Sequence, residues 1–207
     1  MPIAQALANF RTKAAQCDAL IANAHKADPA GVPFFSPIDR EQITVAAFLN
    51  LFVAWEEFLE FTIANLLTGV PTLSGALPPK FASPPTADAA RAMLIGVNRY
   101  FDYANHDFVQ RVVPMYFQGG YPFQPHLRSI STDLADLRTM RNASAHLSST
   151  THSALEALAQ RIFGTPQLGI SLYTLLTRVD PRGGGGNTVF AEARDKLLVA
   201  AQLIATG

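Results

Sequence analysis

The chain has 207 residues, of which 49% are hydrophobic and 15% are charged. This length and composition suffice for one substantial hydrophobic core, so we predict a single domain over residues 1–207. The 16 basic and 16 acidic residues balance, which excludes a strongly basic surface that attracts nucleic acid over long distances. Any contact with RNA must therefore be local.

The sequence also indicates a compartment. Cys17 is the one cysteine, so no disulfide can form within the chain. The first residues lack the basic and apolar segments of a signal peptide. The long apolar stretch over 43–67 contains Glu56, Glu57 and Glu60, which a membrane span rarely carries. We therefore predict a cytoplasmic protein with no membrane partner.

Apolar residues recur at helical spacing through the first third of the chain. The pattern predicts an amphipathic helix over about 3–26 and a long helix over about 39–68, capped by Asp39. The long helix has one broad apolar face, which includes Trp55. We expect Trp55 to be buried.

Proline and glycine interrupt the middle of the chain. Five prolines over 69–85 predict a surface excursion, which is either a docking surface or a simple insertion. Thr86 or Asp88 is expected to cap a helix that ends near residue 107. The aromatic-rich passage over 108–125 is broken by prolines and glycines, and it either walls a cleft or wraps the core.

Two helices are predicted next. The first covers about 127–148, and a shorter one covers about 153–163. The Ser/Thr cluster at 148–151 indicates a helix break followed by a new cap at Thr151 or Ser153, or alternatively a contact with a backbone phosphate.

The C-terminal region completes the helical pattern. Residues 165–180 fit either a helix or a short hairpin, and the four glycines at 183–186 indicate a flexible loop. Asn187 or Thr188 is expected to cap a final helix that ends near residue 205. The whole pattern predicts an all-α fold, a bundle of about five to six helices with Pro/Gly-rich loop insertions.

The predicted helix over 127–148 carries Arg141-Asn142-Ala143-Ser144-Ala145-His146 near its end. A guanidinium can hold a phosphate and its developing negative charge in a planar fork. An imidazole titrates near neutral pH and can transfer protons. Arg141 and His146 in one cleft would form a minimal apparatus for cleaving RNA without a metal.

The helical wheel places these side chains on two faces. Asn142 and His146 share one face with Arg138 and Ser149, which are therefore candidate substrate contacts. Arg141 falls on an apolar stripe, where a guanidinium needs a partner. That stripe comprises Ile130, Leu134, Leu137, Ser144 and Ser148.

Two consequences follow from the wheel. Glu56, at the edge of the Trp55 face, is a candidate to orient Arg141. Arg141 and His146 lie roughly 140° apart on an ideal helix, so one straight helix does not aim both at one phosphate. Either the helix is distorted near Ser144 or two copies meet across a two-fold axis, and we favour the dimer.

The segment from Leu137 to His146, preceded by Ala54-Trp55-Glu56-Glu57-Phe58 on an earlier helix, resembles the HEPN superfamily, especially its bacterial RiboL-PSP-like and related ribonuclease branches. The signature there is an arginine, often followed by asparagine, and then a histidine after about four to six intervening residues. The resemblance implies an all-α bundle that acts as a homodimeric, metal-independent endoribonuclease, often within toxin–antitoxin or phage-defence systems.

Roles for individual residues follow from this resemblance. Arg141 would polarise the scissile phosphate, and His146 would act as general acid or base while the neighbouring 2′-hydroxyl attacks. The products would be a 2′,3′-cyclic phosphate and a 5′-hydroxyl. Asn142 would support the site by hydrogen bonding, with Glu56 as a further support. An antitoxin protein would be a candidate partner.

The sequence leaves a non-catalytic function open and indicates no metal site. Some members of the superfamily keep the bundle and act as interaction or nucleotide-binding modules, so the motif alone does not define an enzyme. His106, His126 and His152 are scattered without a metal-ligand spacing, so we predict neither a metal site nor a cofactor. Nothing in the sequence identifies the RNA substrate.

Overall fold

A computed structural model describes residues 2–145 and 148–207 of the chain. The fold is 68% helical, and the described residues form nine α-helices and no β-strand, which confirms the predicted all-α class. They are α1 (Ile3–Ala24), α2 (Pro37–Thr68), α3 (Ala87–Ile95), α4 (His106–Tyr116), α5 (Phe123–Ser129), α6 (Ser131–Ala145), α7 (Ser149–Phe163), α8 (Leu172–Thr177) and α9 (Val189–Thr206). The helices outnumber the expected five to six because one predicted helix divides and because α4 and α8 form in regions that the sequence did not assign to a helix.

The chain divides into two compact units, and α1, α2, α6 and α9 contribute residues to both. Unit one comprises Met1–Arg11, Ala54–Leu134 and Lys196–Gly207. Unit two comprises Thr12–Val53 and Ala135–Asp195. The end of α6, which carries the Arg-Asn motif, therefore belongs to unit two.

The core of unit one is built around Trp55, which is 0% exposed as the sequence predicted. Its ring packs against Phe10 and Phe58, with ring centroids 5.9 and 5.8 Å away. Its indole N–H donates a hydrogen bond to Nε2 of His106 over 3.1 Å. The indole thus combines apolar burial with a satisfied polar group, which is the usual condition for burying tryptophan.

α2 is long and apolar enough to cross a membrane, judged by length and composition alone. Half of its most apolar window is buried inside the protein. Phe48, Leu51 and Leu59, among other α2 side chains, are at most 1% exposed. The helix therefore supplies core residues, as its interrupted hydropathy predicted.

The start of α2 differs from the sequence prediction. Asp39 is not the cap but lies three residues after it, because Ser36 takes the capping position. The Ser36 hydroxyl oxygen accepts the Asp39 N–H over 3.2 Å, and the Asp39 carboxylate accepts the Ser36 N–H over 3.3 Å. Each residue satisfies a backbone donor of the other, which is the geometry of a capping box.

The predicted helix from Thr86 to residue 107 is shorter than expected. Thr86 does cap it, accepting the Ala89 N–H over 3.1 Å, but the helix ends at Ile95. Gly96 follows with φ at 56°, a backbone conformation that glycine adopts without steric cost. A separate helix, α4, then begins at His106.

α4 occupies part of the passage that its prolines and glycines predicted to be irregular. Pro114 lies inside this helix, where it removes the N–H that would bond the carbonyl of Gln110. The Gln124 side chain donates to that carbonyl over 3.2 Å and replaces the missing bond. A tertiary contact within unit one therefore permits a helix that local sequence disfavours.

The helix predicted over 127–148 is also divided. Ile130 separates α5 from α6 with φ at −117° and ψ at 22°, and the extended backbone at Ser148 lies outside α6. In the region left open between helix and hairpin, α8 is a short helix. Thr188 caps α9 as predicted, accepting the Ala191 N–H over 3.2 Å.

An ion network in unit two joins α6 to α7. Asp136 of α6, whose side chain is 5% exposed, accepts hydrogen bonds from Arg161 of α7 and from Arg182. Arg182 also pairs with the buried Asp180 over 2.7 Å. The hydrogen bond to Asp180 is the main cause that raises the pKa of Arg182. These charge-assisted bonds hold the motif helix in place beside α7.

Candidate active site

The last turns of α6 present Arg141 and Asn142, both half-buried, as neighbours. Arg141 donates to the Asn142 side-chain oxygen over 3.5 Å, a long and weak contact. The Ser144 hydroxyl donates to the Arg141 carbonyl over 2.6 Å. Among the described residues of unit two, no carboxylate pairs with Arg141. Its guanidinium therefore remains available to an anion.

Four other arginines of unit two differ from Arg141. Arg161 and Arg182 are committed to carboxylates, Arg194 pairs with Asp18 and Asp195, and Arg178 lies over the Phe163 ring at 3.9 Å. A half-buried guanidinium with only a weak amide contact is under-satisfied by comparison. Arg141 is thus the arginine of this group best suited to bind a phosphate.

Not every predicted partner of Arg141 can be placed beside it. His146 lies outside the described residues. Glu56 is half-buried on the part of α2 that belongs to unit one, and its role in orienting Arg141 stays a prediction. Arg138 is half-buried on α6 and remains a candidate contact.

The prediction that Arg138 and Ser149 share one helical face was wrong, because these residues lie on different helices. Ser148 has extended backbone angles, φ −106° and ψ 158°, so it cannot continue α6. Ser148 instead caps α7, and Ser149 is the first residue of that helix. Ser148 and Ile130 therefore also fall outside the stripe assigned to them on one continuous helix.

Ser148 was not among the predicted caps, which were Thr151 and Ser153. Its hydroxyl oxygen accepts the Thr151 N–H over 3.2 Å, and Thr151 Oγ1 accepts the Ser148 N–H over 3.1 Å. The two residues form a capping box with threonine in place of the usual glutamate. α7 therefore starts four residues earlier than the sequence predicted.

We expect Ser148→Ala to lower the free energy of unfolding by about 1 kcal/mol, because the first turn of α7 loses its side-chain acceptor. Ser148→Gly should cost only a few tenths of a kcal/mol, since glycine is itself a tolerated cap. Urea unfolding followed by circular dichroism measures both. Equal stability of Ser148→Ala and the wild type would contradict the capping role.

A cavity of about 550 Å³ opens in unit two beside the end of the motif helix. Hydroxyl groups from α6, from the start of α7 and from the start of α8 dominate its polar lining. They belong to Ser144, Ser148, Ser149, Thr151 and Ser171. Its volume lies within the range of about 300–1,000 Å³ that is common for ligand sites.

His152 of α7 also lines this cavity, and sequence reasoning missed it. Its Nε2 lies 3.3 Å from Oε1 of Glu156, one helical turn further on. The same Glu156 oxygen accepts the Gly169 N–H over 2.7 Å, which fixes the carboxylate. The signal that could have found this pair is its i,i+4 spacing, which brings side chains together only on a helix.

Two side chains with different chemistry, Arg141 and His152, therefore lie on helices that contribute to this cavity. Arg141 lies one turn before Ser144 on α6, and Ser144 lines the cavity. His152 offers an imidazole whose ring is held beside a carboxylate. Comparisons of this chain with protein-family models, with curated proteins and with solved structures gave no match.

Proposed function

We propose that the protein is a metal-independent endoribonuclease that acts as a cytoplasmic homodimer in a toxin–antitoxin or phage-defence setting. The observation that carries the proposal is the state of Arg141 at the end of α6. It is half-buried, it pairs with no carboxylate among the described residues of unit two, and its weak contact is with Asn142 of the same motif. Such a guanidinium suits bidentate binding of a phosphate.

The motif supplies the remaining chemistry. Arg141 neutralises the charge that develops on the phosphate as the 2′-oxygen attacks phosphorus. His146 transfers a proton during the same step, and Asn142 holds the Arg141 side chain by hydrogen bonding. The bond from phosphorus to the 5′-oxygen then breaks, which leaves a 2′,3′-cyclic phosphate and a 5′-hydroxyl. Guanidinium and imidazole suffice for this reaction, so the proposal needs no cofactor.

The surroundings of the motif support the same reading. The end of α6 opens on a cavity of the size that ligand sites commonly have, and its lining is rich in hydroxyl groups. The resemblance of the motif to HEPN ribonucleases supplies the setting: two copies would meet across a two-fold axis, and an antitoxin would regulate them.

The experiment is cleavage of total cellular RNA by the purified protein in EDTA, with end-group analysis of the products. We expect cleavage that leaves cyclic phosphates and that falls by about 10²- to 10⁴-fold in His146→Ala, since one general acid or base contributes that much. Gln160→Ala is the matched control and should keep full activity, because Gln160 is exposed on α7 and lies outside the cavity lining.

Two results would argue against the proposal. Full activity in a folded His146→Ala variant would remove the motif from catalysis. No cleavage by the folded wild-type dimer in excess over RNA would favour a non-catalytic interaction or nucleotide-binding module instead. Light scattering on the same sample measures whether the dimer forms.

A further inference from the structure

The lining of the unit two cavity suits an uncharged part of a nucleotide better than a phosphate. Among the described residues that line it there is no lysine or arginine, and Glu41 is the one carboxylate. The apolar part of the lining comes from Val45, Leu155, Ile170 and Leu172. A lining that combines hydroxyl groups with apolar side chains offers hydrogen bonds to a ribose and apolar contact to a base.

His152 is positioned to act as a base in this cavity. A carboxylate 3.3 Å from Nε2 favours the tautomer that carries the proton on Nε2. Nδ1 then has a free lone pair, and it makes no hydrogen bond to any residue that the structure describes. The imidazole is 54% exposed, so a substrate can reach it.

Glu156 is held independently of His152. Its Oε1 accepts the backbone N–H of Gly169 over 2.7 Å, and its side chain is 24% exposed. A carboxylate anchored to the backbone in this way keeps its partner imidazole in one orientation. This is the arrangement of a proton-transfer group and a positioning residue.

We propose that the cavity binds the ribose and base on the 5′ side of the scissile phosphate and that His152 is the general base that activates the 2′-hydroxyl, with Glu156 as its positioning residue. The inference rests on the ribonuclease function proposed above and assigns to that site a second proton-transfer group besides His146.

Nδ1 of His152 takes the proton of the 2′-hydroxyl while the 2′-oxygen forms its bond to phosphorus, and the Glu156 carboxylate stabilises the resulting imidazolium. Arg141 holds the phosphate, and the bond between phosphorus and the 5′-oxygen breaks. His146 gives a proton to the departing 5′-oxygen. No oxidant, metal or further reactant is needed.

The charged surroundings of His152 are few. Glu156 lies on its own helix, and Glu41 lines the cavity from α2. Arg141 lies on α6, three residues before the cavity residue Ser144. Residues 165–171 carry no titratable side chain. Tyr173 of α8 hydrogen-bonds to His25. Glu156 is the carboxylate in contact with the imidazole.

The test measures single-turnover cleavage of a short RNA against pH by wild type, His152→Ala, His152→Gln, Glu156→Gln and Gln160→Ala. We expect each His152 variant to lose about 10²- to 10⁴-fold in rate. Binding of the RNA should change little, and the fall in rate at acid pH should disappear. Added imidazole should restore part of the rate in His152→Ala.

Glu156→Gln separates a positioning role from a structural one. Glutamine keeps an oxygen that can accept the Gly169 N–H, but it removes the negative charge beside the imidazole. We expect kcat to fall while KM stays near the wild-type value, because the carboxylate that orients the imidazole is gone while the contact with Gly169 is kept. Gln160→Ala, a change at an exposed residue of α7 outside the cavity lining, should behave as the wild type.

Arg141→Ala, assayed in parallel, distinguishes a failure of the role proposed for His152 from a failure of the ribonuclease function. If the wild type cleaves, Arg141→Ala does not, and the His152 variants keep the wild-type rate and pH profile, the role of His152 is overturned while the ribonuclease function stands. If the folded wild type does not cleave at all, both are overturned together.

Discussion

Arg141→Lys is expected to lower kcat/KM for RNA cleavage by about 10²- to 10³-fold, the scale seen when one preorganised donor to a developing negative charge is removed. Lysine keeps the positive charge but presents it as a point charge without the planar fork. Because Arg141 has no carboxylate partner among the described residues of unit two, its loss removes no ion pair there. The effect should therefore appear in the rate and not in stability.

The control is Arg128→Lys, since Arg128 is exposed at the end of α5 and carries no assigned role. It should keep the wild-type rate, and both variants should unfold at the wild-type urea concentration. A fully active Arg141→Lys would show that charge alone suffices, and the assignment of a bidentate phosphate contact would be wrong.

Trp55→Ala is expected to lower the free energy of unfolding by about 3–5 kcal/mol, the usual cost of truncating a buried tryptophan. The side chain is 0% exposed and packs between Phe10 and Phe58, so its removal leaves a large void. It also deletes the hydrogen bond from the indole to His106. Urea unfolding followed by far-ultraviolet circular dichroism measures the change.

Two variants separate the causes of this loss. Val53→Ala truncates a neighbouring α2 side chain that is 49% exposed, and it should change stability by no more than about 0.5 kcal/mol. Trp55→Phe keeps much of the ring packing while it removes the N–H donor, so its cost should lie between the other two. A Trp55→Ala variant as stable as Val53→Ala would contradict the central role of the indole.

Periodicity and capping residues predicted much of the fold. α1, α2 and α9 lie close to their expected bounds, Thr86 and Thr188 cap the helices assigned to them, and Trp55 is buried. These features depend on local patterns, because an apolar face and a capping side chain act within one or two helical turns.

The features that sequence missed depend on contacts between distant residues. Proline inside a helix usually breaks or kinks it. α4 nevertheless contains Pro114, because the Gln124 side chain donates a hydrogen bond to the carbonyl that the proline leaves unpaired. No local pattern around Pro114 contains that information.

The candidate site shows the same division. Arg141 and Asn142 lie near the end of a helix as predicted. Sequence reasoning assigned His152 no catalytic role because the helix was predicted over about 153–163, a range that leaves out His152 and so does not put it on one helix with Glu156. The capping box at Ser148 moves that start to Ser149 and brings the pair together. An error in one helix boundary thus concealed a candidate functional residue.

The position of Trp55 has a practical consequence for spectroscopy. Trp55 is the one tryptophan in the chain, and it lies in unit one. Tryptophan fluorescence, excited selectively, therefore reports the environment of that core alone, whereas circular dichroism averages over every helix. If the two units unfold at different urea concentrations, the fluorescence and ellipticity curves will have different midpoints. Coincident curves would instead identify the whole chain as a single cooperative folding unit.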